Sequence, residues 1–219
     1  MAGTPVDTVD AQERAALCDL LISLGPGAPT LCEGWDTLDM AAHLVVRETD
    51  LRAPLAILGP FAGIERKVMS QAKDRGLESL VATLRDGPPA FPWRVPGLRT
   101  PLNLFEWFVH HEDVRRADGP RQAMSPRPGE AGLDAALWAQ LRRAASFMLL
   151  RVRDVGIELV APGHGSVPAR DKADRPKVRL VGSPQELTLY LFGRRDQARV
   201  EVAGDDTARE RLAHAKLGF

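Results

Sequence analysis

Apolar positions in the first two-thirds of the chain recur at helical spacing. Leu17, Leu20, Leu21 and Leu24 follow at three- and four-residue steps, predicting a helix from about Val9 to Leu24 that Gly25-Pro26-Gly27 stops. Beyond a loop, Trp35 leads into a second helix that Asp36 or Thr37 can cap, with Met40, His43, Leu44 and Val45 towards one side. Asp39 falls in its first turn, where a carboxylate suits the positive end of the helix dipole. A looser stretch with Pro54, Gly59-Pro60 and Gly63 follows, then a short helical piece around Leu77 to Leu84. Gly87, Pro88, Pro89, Pro92 and Pro96 break the chain again. Pro101 behind a Thr100 cap opens a third clear helix over about Leu102 to Ala117, closed by Asp118-Gly119-Pro120. A fourth spans about Pro128 to Val152, with Leu133, Leu137, Leu141, Ala144, Phe147 and Met148 at mixed spacing.

After Asp154 the period changes. Ile157 to Ala161, Lys177 to Gly182 and Ala198 to Ala203 read as strands, the last two with clear alternation. Ser183-Pro184-Gln185-Glu186 opens a helix through Phe192, and Gly204-Asp205-Asp206 leads to a last helix from about Thr207. Helices first and strands later predict an all-helical domain, residues 1–153, followed by a small α+β domain, residues 154–219, with the boundary near Arg153.

Composition narrows the classes of function. The 219 residues are 44% hydrophobic and 26% charged, enough for a packed core and too apolar for wholesale disorder. Lys and Arg balance Asp and Glu at 29 each, so net charge gives nucleic-acid binding no support. Arg115-Arg116 and Arg142-Arg143 read as solvated helix faces. Cys18 and Cys32 do not make a disulfide framework, the first residues lack the pattern of a secretion signal, and no apolar run nears the roughly 20 residues of a membrane span. The expectation is a cytoplasmic protein with reduced thiols and no membrane partner.

The chemistry concentrates in Leu104-Phe-Glu106-Trp-Phe-Val-His110-His111-Glu-Asp113. Glu106 and His110 are four residues apart, on one helix face and about 6 Å apart along the axis, so both can reach one point in space. Asp113, three further on, can orient His110 or line the pocket. Such a pair alone also reads as a surface salt bridge. Phe105, Trp107, Phe108 and Val109 around it favour burial instead, and a buried carboxylate and imidazole need partners that a metal can supply. His43 sits among Ala41, Ala42, Leu44, Val45 and Val46 on another helix, where a hydrogen-bonded core histidine is the plain alternative. Periodicity does not join His43 to the other two. Two His and one carboxylate leave an open coordination position, as catalytic zinc sites do. Cys32 reads as a fourth ligand, a redox thiol or a small buried residue, and Cys18 as core. His111 points about 100° away from His110 around the helix, and His164 falls in a turn-rich loop.

Trp35-Asp-Thr-Leu-Asp39-Met-Ala-Ala-His43-Leu, paired with Glu106-x-x-x-His110-x-x-Asp113, resembles the DinB-like superfamily. Its nearest pattern is the actinobacterial branch typified by mycothiol-dependent maleylpyruvate isomerase. Val178 to Leu187, Leu191-Phe-Gly193-Arg194 and Val202-Ala-Gly204-Asp205 resemble that branch's C-terminal module, so the likeness spans nearly the whole chain. The resemblance implies a metal-binding four-helix bundle with a small C-terminal α/β domain. It implies His43, Glu106 and His110 as ligands of a divalent metal, zinc by donor type, with mycothiol as thiol co-substrate. The expected activity is that of a thiol transferase or isomerase acting on a small electrophile through a metal-activated thiolate. Arg194, in the Gly-Arg turn, is then the candidate for holding an anionic substrate or cofactor group; its plain alternative is a surface arginine or a helix C-cap. Two rival classes stand beside this reading. One is a zinc-dependent hydrolase assisted by Asp39 or Asp113; the other is a non-catalytic metal- or ligand-binding module. Partners are expected to be a small molecule and a low-molecular-weight thiol, with the chain a monomer or homodimer.

Overall fold

In the computed structural model, residues 6–49, 62–87, 102–117, 131–170 and 175–218 are described. Among them are eight α-helices and a four-stranded sheet, a mixed α+β architecture. The chain divides into two compact units, Val6–Ala123 and Met124–Phe219, apart from its first residues.

The first unit is helical. It contains α1 (Val6–Leu24), α2 (Thr37–Thr49), α3 (Ala62–Lys73), α4 (Leu77–Asp86) and α5 (Leu102–Arg115). Helix α1 packs on α4 and α5, and α2 packs on α3 and α4. Leu17 and Leu21, Met40 and Leu44, Leu80 and Leu84, and Trp107 form one buried core, which removes their apolar surface from water. Arg14 of α1 ties four helices together. It pairs with Glu48 of α2, donates to the Leu84 carbonyl of α4 at 3.0 Å and lies 4.6 Å over the Trp107 ring of α5. Asp36 and Asp39 cap α2 reciprocally: the Asp36 carboxylate accepts from the Asp39 N–H at 2.9 Å, and Asp39 accepts from the Asp36 N–H at 3.3 Å. Helix α3 occupies part of the stretch that the sequence reads as loose. The Thr100 cap, the breaker-rich run from Pro88 and the Asp118-Gly119-Pro120 stop lie outside the described residues.

The second unit contains α6 (Ala131–Met148), β1 (Gly156–Ala161), β2 (Gly165–Arg170), β3 (Lys177–Val181), α7 (Pro184–Leu191), β4 (Glu201–Gly204) and α8 (Asp206–His214). The sheet order is β2-β1-β3-β4, with β1 antiparallel to β2, parallel to β3, and β3 antiparallel to β4. Val178 and Leu180 alternate buried with exposed Lys177 and Arg179, as the period of two requires. Strand β2, Gly-Ser-Val-Pro-Ala-Arg, carries no such signal in sequence and is drawn into the sheet by its hairpin with β1. Ser183 caps α7 by accepting from the Glu186 N–H at 3.3 Å, and Asp205 caps α8 by accepting from the Ala208 N–H at 3.0 Å. Gly204 has φ 128°, and a Cβ there would lie 2.4 Å from the Lys177 carbonyl oxygen.

One expectation about organisation shifts. The sequence assigns the fourth long helix to the helical domain, with a boundary near Arg153. In the structure this helix, α6, groups with the sheet, packing on α7 and β2, and Leu133, Leu137, Leu141 and Ala145 are its buried stripe. Helical periodicity states that a helix has a buried face, not which neighbour covers it.

Candidate metal centre

The site belongs to the helical unit and is built by α2, α5 and the loop before α2. On α5, the Glu106 and His110 side chains meet one turn apart: His110 Nε2 lies 3.4 Å from Glu106 Oε2. His43, from the middle of α2, brings its ring to 5.2 Å from the His110 ring, edge to face. One donor atom from each of His43, Glu106 and His110 falls within 4.8 Å of the others. The three residues that the resemblance joins are therefore neighbours in space.

The loop from Gly25 to Asp36 closes one flank. Leu31 N–H donates to the Asp113 backbone carbonyl at 2.9 Å, Thr37 N–H donates to the Ala28 carbonyl at 2.9 Å, and the Thr30 hydroxyl donates to the Trp35 carbonyl at 2.9 Å. These bonds seat the Trp35 ring 4.9 Å from the His43 ring. They also place the Cys32 thiol 3.3 Å from Asp113 Oδ2, to which it donates. The same carboxylate oxygen lies 3.0 Å from His110 Nδ1. Asp113 is fully buried, so it orients the His110 ring from behind, with Nε2 on the Glu106 side. A carboxylate on the far nitrogen of a ligating His fixes tautomer and angle, a common supporting arrangement at metal sites. Cys32, His110 and Asp113 form a second group of donors with the spacing of a metal site.

Arg47 completes the exposed side. It follows His43 by one helical turn, its Nε lies 3.5 Å from Glu106 Oε2, and its guanidinium donates to Asn103 Oδ1 at 2.9 Å. Arg47 is not among the candidate residues in the sequence, although its four-residue offset from His43 is a legible sign that both share a face of α2. The Arg47 and Glu106 side chains are 22% and 26% exposed, so this edge of the cluster is partly exposed.

Charge follows this geometry. Burial works to raise the Glu106 carboxyl, but its hydrogen bond to His110 and the charges of Arg47, His110 and His43 outweigh that and hold it at about 2. Burial works to lower His110, yet the bonds to Asp113, Cys32 and Glu106 raise it well above its ordinary 6.5. His110 thus sits between two carboxylates, Glu106 on its Nε2 side and Asp113 on its Nδ1 side, and both favour its protonated form. A divalent ion held by His43, Glu106 and His110 would supply positive charge there in place of a proton on Nε2.

The donors fit such an ion. Donors about 2.0–2.1 Å from a tetrahedral zinc stand roughly 3.3–3.4 Å from each other. The His110–Glu106 separation of 3.4 Å has that value.

The remaining candidates have other partners. Asp39 is engaged at the start of α2, paired with Lys73 at 2.6 Å. Arg194 belongs to the second unit, where its guanidinium donates to the Phe192 carbonyl at 2.7 Å and its N–H to the Leu189 carbonyl at 2.9 Å. His111 turns away from the cluster to Glu13, 3.2 Å away on α1, and His164 is exposed in the β1–β2 turn. Comparisons with protein-family models, with curated proteins and with solved structures find no match for this chain.

Proposed function

We propose that the helical unit holds one divalent metal ion, of zinc type, on His43, Glu106 and His110, and that the protein is a DinB-like, mycothiol-dependent transferase or isomerase. The observation that carries the metal reading is the convergence of two imidazoles and a carboxylate from two helices, with the His110–Glu106 pair already at metal-ligand spacing. Three protein donors leave a coordination position for an exogenous ligand, and the partly exposed edge by Arg47 and Glu106 gives it an approach. The bound ion would supply a lowered thiol pKa, so that a thiolate nucleophile exists near neutral pH. Asp113 holds the His110 ring in place, and Trp35 packs beside His43. The thiol cofactor and the reaction class rest on the likeness of Trp35 to Leu44, Glu106 to Asp113 and the Gly193-Arg194 segment to that family.

Against hydrolysis, neither candidate acid is placed as a proton carrier at the open edge. Asp113 is buried behind His110, and Asp39 is held by Lys73 and the α2 cap.

Metal analysis of the purified protein is expected to find about one divalent ion per chain, lost in His43→Ala and in His110→Ala. Full metal content in both folded variants would overturn the site. Titration of mycothiol into the zinc-loaded protein, followed by calorimetry, then tests the thiol reading; no heat at millimolar thiol would overturn it and leave the metal site standing.

A further inference from the structure

We infer that Arg47 makes the open edge of this centre an anion subsite, so that its ligand carries an anionic oxygen group, such as a carboxylate, beside the atom that takes the open position. The inference rests on the metal reading above. Arg47 is an odd neighbour for a metal ligand. Its Nε lies 3.5 Å from Glu106 Oε2, the same oxygen that stands 3.4 Å from His110 Nε2. A guanidinium there draws charge from the carboxylate and costs cation affinity, so a centre built only to store metal would do better without it.

The local charges point the same way. With a divalent ion in place, the ion and Arg47 bring three positive charges against the two negative charges of Glu106 and Asp113. Glu48, next along α2, does not make up the difference, because it is buried against Arg14. Among the described residues one negative charge is wanting, on the side where Arg47 is 22% exposed. Asn103 holds the guanidinium at 2.9 Å, which fixes its direction, and among the described residues its partners, Glu106 and Asn103, take fewer than the five N–H groups of the fork. A planar fork beside an open metal position suits a carboxylate that lies across both.

Cobalt-loaded protein gives the test, since its visible bands report ligand exchange at the open position. Acetate and imidazole serve as the anionic and neutral probes. Arg47→Met is expected to keep its cobalt and its imidazole affinity while acetate binds about tenfold more weakly, with Arg47→Lys between it and the wild type. Equal acetate affinity in wild type and Arg47→Met overturns the subsite. So does loss of cobalt from folded Arg47→Met, which would make Arg47 a positioning residue for Glu106. A wild type that takes up no cobalt overturns the metal reading beneath it instead.

Discussion

Cys18 and Cys32 share a residue type and differ in almost everything that governs thiol chemistry. Cys18 is fully buried in α1, and burial pushes its thiol up to about 11. Cys32 is partly exposed in the loop before α2, donating to Asp113. Iodoacetamide at neutral pH should therefore modify Cys32 while Cys18 stays unmodified until the chain unfolds, as peptide mass spectrometry would read directly. Equal labelling of both in the native protein would contradict this environment for Cys18. Gly204 is the corresponding case for the backbone. Gly204→Ala combines a positive φ with a Cβ 2.4 Å from the Lys177 carbonyl, so it should cost about 2–3 kcal/mol in a urea titration. A neutral result would mean that β3 and β4 can part there without penalty.

Among the elements, α2 shows how a start signal and a site share one short helix. Asp36 and Asp39 satisfy its first N–H groups, and one turn later the helix presents His43 and then Arg47. Burial works to raise the Asp39 carboxyl, but its bonds to Lys73 and Asp36 outweigh that and lower it below its ordinary 3.8. The hydrogen bond to Asp39 in turn raises Lys73 above 10.5. A lowered carboxyl contributes stability that is present above its unfolded value and lost as pH falls through its folded one. A raised ammonium contributes below its unfolded value and loses it as pH rises through its folded one. The pair thus stabilises α2 on α3 across the neutral range, by about 0.5 kcal/mol given the solvent around Lys73. Asp39→Asn should show that deficit near pH 7 in chemical denaturation, and the deficit should shrink in strong acid and above pH 10.5. A deficit that stays constant across this range would assign the effect to the cap alone.

For the molecule as a whole, the division into Val6–Ala123 and Met124–Phe219 sets where metal should matter. A ligand that binds only the folded state stabilises it by about 2.7 kcal/mol at a hundred times its dissociation constant. Added zinc should slow hydrogen exchange most in α2 and α5, which carry the candidate donors, and leave β1 to β4 little changed. Equal protection in both units would place the ion elsewhere. No helix among the described residues is long and apolar enough to cross a membrane.

Local structure was legible in the sequence because its causes are local. Leucine spacing in α1, the Asp36 start of α2, the Ser183-Pro184 start of α7, the Asp205 cap of α8 and the alternation in β3 each depend on residues a few positions apart. The Glu106–His110 pair was legible for the same reason, since one helical turn brings the two side chains together. Other features required the folded chain. Strand β2 has no apolar alternation of its own and exists because β1 offers it a ladder. Helix α6 has a buried stripe whose sequence cannot name the surface that covers it, and packing gives it to the sheet. The meeting of His43 with His110 of α5, the reach of Cys32 to Asp113 and the approach of Arg47 to Glu106 each join residues 59 or more positions apart. Such contacts depend on how α2, α5 and the Gly25 to Asp36 loop pack. Periodicity along a single helix carries no information on that packing, so the sequence alone determined the helices and one pair of candidate donors, and tertiary structure decided that they meet with His43 in one cluster.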